Sequence, residues 1–74
     1  MALDSGEIEK RMTYHAPTPA GVERHRRLSE AFAAAMAVVE EVVPDGREKS
    51  LAITKIEEAK MWSSAGVARN PATV

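Results

Sequence analysis

The apolar positions of this chain form two long helical stripes separated by a Pro-Asp-Gly break. Between about Pro19 and Val43, Leu28, Phe32, Ala35, Met36, Val39, Val42 and Val43 recur at steps of three and four. At about 100° per residue that spacing gathers them on one side of a helix. Glu23, Arg27, Glu30 and Glu41 fall on the opposite side. Thr18 before Pro19 has the form of an N-cap followed by proline in the first helical position, where the missing N–H is not needed. Pro44-Asp45-Gly46 stops the pattern, and Asp45 followed three residues later by Glu48 reads as a capping box that starts a second helix. The prediction is an antiparallel αα-hairpin with a short connection. Each helix is about 23 to 25 residues, or about 35 Å, so the two can pack along their full length. Asn70 before Pro71 closes the second helix and leaves a short frayed tail.

The second helix carries more apolar surface than one partner can cover. Projected as a wheel, Leu51, Ala52, Ile56, Ala59, Trp62, Ser63, Gly66 and Val67 share one broad arc, with Ile53 just beyond it. A two-helix hairpin has no second layer, so part of that arc must meet another copy of the chain or stay wet at about 25 cal/mol per Å². Self-association into a homo-oligomer is therefore predicted. Glu48 and Lys55 project into the same arc, Lys49 and Lys60 flank its far side and Arg47 its near side. Lys55 then has three outcomes: it snorkels to water, pairs with Glu58 or Glu48, or meets an anionic ligand between subunits. Glu23 with Arg27, and Glu57 with Lys60, have the spacing of ordinary solvated helix pairs.

Ahead of the hairpin lies a segment of different character. Residues 1–18 read as an N-terminal arm and residues 19–70 as the helical hairpin domain. Ser5 is a candidate cap for a short turn of helix, but Pro17 and Pro19 push the residues before them out of the helical region, and the arm reads as extended. It holds Arg11, Met12, Tyr14 and His15, an interactive set for a passive tail. Tyr14 either packs over a helix end or presents its ring to a partner. His25, near the edge of the first apolar stripe, reads as a packed, hydrogen-bonded histidine.

Composition narrows the function classes. With 74 residues the chain is one small domain, of a size at which a single core seldom supplies more than about 3 to 5 kcal/mol without staples or association. There are no cysteines and only two histidines, which excludes disulfides and makes a structural metal site improbable; no cofactor is called for. A formal net charge of −1 lacks the basic field of a general nucleic-acid binder. No apolar run approaches the roughly 20 residues of a membrane span, and the acidic start is unlike a secretory signal, so a soluble cytoplasmic protein is expected. No phosphate loop, nucleophile elbow or metalloprotease motif occurs. The neighbouring carboxylates Glu40-Glu41 and Glu57-Glu58 point about 100° apart on a helix and form no dyad, so an enzyme is not expected.

The arm Arg11-Met12-Thr13-Tyr14-His15 with its following prolines, the run Pro44-Asp45-Gly46-Arg47-Glu48-Lys49-Ser50-Leu51-Ala52-Ile53-Thr54-Lys55-Ile56-Glu57-Glu58-Ala59, then Met61-Trp62 and Ala68-Arg69-Asn70 resemble the small phage hairpin-domain family of anti-CBASS and Thoeris anti-defence nucleotide sponges. The resemblance covers about residues 10 to 70. It implies an all-α helical hairpin that assembles into a homo-oligomer, a hexamer in characterised relatives. It also implies sequestration of cyclic di- or trinucleotide immune signals at subunit interfaces, without cleavage, in the host cytoplasm. Tyr14 matches the base-stacking tyrosine, with His15 beside it. Arg26, Arg27 and Lys55 are candidates for the phosphate-binding partner. Arg47, Thr54 and Arg69 match a second, trinucleotide site. The rival reading is a structural or regulatory helical module whose apolar arc binds another protein. A nucleic-acid accessory role has only the Arg24-His25-Arg26-Arg27 cluster in its favour.

Overall fold

The computed structural model describes residues 2–74 and contains three helices: α1 at Ser5–Met12, α2 at Pro19–Val42 and α3 at Arg47–Arg69. No strand occurs among the described residues. The hairpin is α2 and α3, with boundaries close to those the pattern predicts. Thr18 caps α2 as expected: its hydroxyl accepts from the Gly21 N–H at 3.1 Å, and Pro19 occupies the first turn. Asn70 is the C-cap of α3.

Three expectations need correction. The arm is extended only between α1 and α2, because Ser5–Met12 is helical. Its cap is Asp4, not Ser5: the Asp4 carboxylate accepts from the Glu7 N–H at 2.8 Å. Arg11 pairs with Glu7 one turn back at 2.8 Å. Glu7 in the first turn with Lys10 and Arg11 in the last sets each charge against the opposite end of the helix dipole. The second correction is at α3, where no side chain caps the first turn. Gly46, at φ 156°, takes the cap position, and Asp45 turns to the Lys49 ammonium instead. The third is the tail. Beyond Asn70 the chain makes a turn and returns to α2, where the Val74 carbonyl accepts from the Thr18 N–H at 3.2 Å.

The inner seam of the hairpin is built from Leu28, Phe32, Met36 and Val39 on α2 and Val43 at its C-cap against Ala52, Ile53, Ile56, Ser63 and Val67 on α3, all half-buried. The broad arc of α3 is thus divided. One side meets α2, and the other, with Leu51, Ala59, Trp62 and Gly66, faces outward. No hydrophobic side chain among the described residues is fully buried. The principal extents, 45 × 33 × 14 Å, explain why: the protein is a slab one helix thick.

Candidate functional site

The arm crosses the hairpin near the end of α3 and the start of α2, and a groove of about 430 Å³ lies where the three elements meet. α1 supplies Arg11 from its last turn. The extended segment supplies Tyr14 and His15, because Pro17 and Pro19 keep the chain out of a helix here. Ser64, Ala65 and Ala68 form a small-residue floor on α3, spaced so that a neighbouring segment can approach closely, and Arg69 stands at its end. His25, one turn beyond Gly21, closes the groove from α2.

Tyr14 is 84% exposed, so its ring is a free π surface rather than a lid over a helix end. His15 is held by a 2.6 Å hydrogen bond between its Nε2 and the Lys10 carbonyl. An oxygen acceptor there makes that nitrogen the donor, which leaves Nδ1 as the acceptor of the neutral ring. Arg69 donates through Nη2 to the Arg11 carbonyl at 3.4 Å and so ties α3 to the end of α1. Arg11 and Arg69 are the cations of the groove, and no carboxylate lines it. The Arg11 Nε is paired with Glu7 outside the groove at 2.8 Å, so Arg69 and the terminal nitrogens of Arg11 carry the positive charge that faces it. Fixed guanidinium groups, an imidazole and an open aromatic face are the groups that receive a phosphate and a flat heterocycle.

Of the residues singled out from the sequence, the structure brings Tyr14, His15 and Arg69 together and keeps Arg26, Arg47, Thr54 and Lys55 out of this groove. Arg26 is engaged within α2. Its Nε donates to Glu23 at 2.9 Å and its Nη1 to Glu30 at 2.5 Å. The Glu23 hydrogen bond is the chief cause of an Arg26 pKa raised further above its already high value, and the same contact lowers that of Glu23. The expected Glu23–Arg27 pair is replaced by this arrangement. Lys55 takes the second of its three outcomes, an ion pair with Glu58 at 3.3 Å, and at 72% side-chain exposure it lies at the surface. Arg47 and Thr54 are exposed along α3.

Arg11, His25 and Ser64 line the groove but are not among the ligand-binding residues expected from the sequence, where Arg11 reads only as part of the interactive arm and His25 as a packed histidine. Arg11 is part of the arm itself, three residues before Tyr14, whereas only the angle at which the arm crosses α2 and α3 recruits His25 and Ser64. Beside the first groove, on the other side of Arg11 and Arg69, a larger one of about 660 Å³ runs between α1 and α3, lined by Trp62, Gly66, Lys10 and Met12 among others. Trp62 is 65% exposed there. Among the described residues no cluster of histidine and carboxylate side chains is arranged to hold a metal, and no helix is long and apolar enough to cross a membrane.

A one-layer helical hairpin with a cationic, aromatic-walled groove defines a small binding module. The chain belongs to the Acb2/Tad1 hairpin-domain family, which it matches over residues 4–68, nearly its whole length. At the level of that family the role is anti-defence, the sequestration of cyclic nucleotides rather than their turnover. No curated protein and no solved structure matches the chain.

Proposed function

We propose that this protein captures cyclic di- or trinucleotide immune signals of an infected host, uncleaved, at grooves completed by neighbouring subunits of a homo-oligomer. The observation that carries the reading is the groove of Tyr14, His15, Arg11, Arg69 and His25 without a carboxylate. Tyr14 offers a face for a base and the two arginines offer donors for phosphate oxygens; base stacking on an aromatic ring contributes about 1–3 kcal/mol. At about 430 Å³ and open on one side, the groove has the size of a small-molecule site but encloses only part of such a ligand. A second subunit supplies the missing wall. Arg27, Arg47, Thr54 and Lys55 lie on exposed surfaces of the hairpin and are the candidates for that contribution, Arg47 and Thr54 with Arg69 for a trinucleotide. A hexamer is the assembly that the family resemblance implies.

The test is retention and release. Purified protein is mixed with a panel of cyclic di- and trinucleotides, filtered, then heated, and the released nucleotide is assayed. Intact recovery supports capture. Degraded product would make the protein a nuclease, and no retention of any cyclic nucleotide at micromolar protein would leave the helical interaction module as the reading.

A further inference from the structure

We propose that Pro71–Val74 is a strap that fixes the arm against the hairpin and thereby holds the groove wall formed by Tyr14 and His15. Behind α3 the chain makes a tight turn fastened at both ends. The Ala72 N–H donates to the Asn70 side chain at 2.9 Å, the N–H groups of Thr73 and Val74 both donate to the Asn70 carbonyl at 3.0 Å, and the Thr73 hydroxyl donates to the Val67 carbonyl at 2.9 Å. The turn is therefore anchored on the last turn of α3. Its far end reaches Thr18, the residue that joins the arm to α2.

Thr18 is bound twice to the same atom. Its N–H and its hydroxyl both donate to the Val74 carbonyl, while the hydroxyl oxygen accepts from the Gly21 N–H. A hydroxyl has one proton to give and lone pairs to receive, so the strap and the helix cap orient it together. Gly21 explains how the backbone comes so close. It is buried in the first turn of α2, and a Cβ built there would overlap the Val74 carbonyl group. The Arg24 guanidinium reaches the Thr73 carbonyl at 3.5 Å from the next turn. Pro71 and Val74 also share a cavity of about 360 Å³ with Lys10, His15 and Arg69, so the strap lies against the arm as well as against α2. Without it the arm between Met12 and Pro19 retains the His15 contact to Lys10 and the Arg69 contact to the Arg11 carbonyl, and loses the two hydrogen bonds that hold Thr18 to Val74.

The link to ligand capture rests on the function proposed above; the mechanical role does not. Two variants test it by backbone relaxation on the labelled protein: a chain ending at Asn70, and Gly21→Val, which keeps the strap but denies it its seat. In the native chain the amides of Tyr14, His15 and Ala16 should be as rigid as the helices, with order parameters near about 0.85. In both variants they should fall below about 0.6 while α2 and α3 keep their values, and retention of a cyclic dinucleotide should drop at least several-fold. Arm amides that stay rigid in both variants overturn the strap, whatever the ligand result. Unchanged retention by a variant whose arm has loosened overturns its link to the groove. If the arm loosens but even the native chain retains no cyclic nucleotide, the strap stands and the proposed function falls.

Discussion

Lys49 shows how much one side chain depends on the turn of the hairpin. Its residue is only 8% exposed, yet its ammonium lies 3.1 Å from Glu40 at the end of α2 and 3.1 Å from Asp45 in the connection. The hydrogen bond to Asp45 is the first cause, and that to Glu40 a further one, of a pKa raised above the usual lysine value of about 10.4. A group raised on folding contributes stability that is complete below its unfolded pKa and is lost as pH climbs through the folded one. The melting temperature should therefore fall above about pH 10.4, and fall less steeply in Lys49→Met; equal slopes in thermal scans would remove Lys49 from the explanation. Gly46 beside it holds φ at 156°, a region essentially reserved for glycine. Gly46→Ala should destabilise the protein by about 1–3 kcal/mol in denaturant titrations. Tyr14 is the opposite case, since nothing in the fold rests on its exposed ring. Tyr14→Ala should weaken nucleotide retention about 5- to 150-fold, the worth of one stacked base, with the oligomer mass unchanged; loss of the oligomer would show a structural tyrosine instead.

At the scale of elements, the same short pattern meets two fates. Asp4-Ser5-Gly6-Glu7 and Asp45-Gly46-Arg47-Glu48 both place an acid three residues before a glutamate. Only the first caps with its aspartate: among the described residues no cation pairs with Asp4, whereas Asp45 is drawn to Lys49 and Gly46 moves into the cap. Sequence spacing predicts a helix start in both places. Which carboxylate bonds to backbone depends on cations that the fold brings near. An eight-residue helix is marginal alone, so α1 persists through its cap and its contacts with α3. Asp4→Ala should remove about 1 kcal/mol from α1. Hydrogen exchange should then quicken at the amides of Ile8 to Met12 with α2 unaffected, and uniform protection would mean that docking, not the cap, holds α1.

The whole molecule is a slab without an interior. A compact chain of its mass exposes about 4450 Å², whereas this one exposes 5692 Å², an excess of roughly 1200 Å². That excess is comparable to about 800 Å² buried per partner in a standard interface. Leu51, Met61, Trp62, Val38 and Val42 are all exposed, and a Cβ at Gly66 would meet nothing within 4 Å. Small residues at Ala59 and Gly66 beside Trp62 leave room for another helix to approach. Trp62→Glu should lower the sedimenting mass while the circular dichroism of the helices is retained at high concentration. A native chain that sediments as a stable folded species of 8.0 kDa would refute the assembly, and with it any site shared between subunits.

By itself the sequence determined the hairpin: two apolar stripes of helical period, a Thr-Pro start, a Pro-Asp-Gly break and an Asn-Pro stop are local signals, and local backbone preferences decide them. It also marked Tyr14, His15 and Arg69, through chemistry and family resemblance. Tertiary structure decided the rest. The crossing of the arm over α2 and α3 set His25 and Ser64 beside Tyr14, and the return of Val74 to Thr18 turned an expected frayed tail into a fastening. These depend on contacts between residues up to 58 positions apart, which no periodicity along the chain encodes.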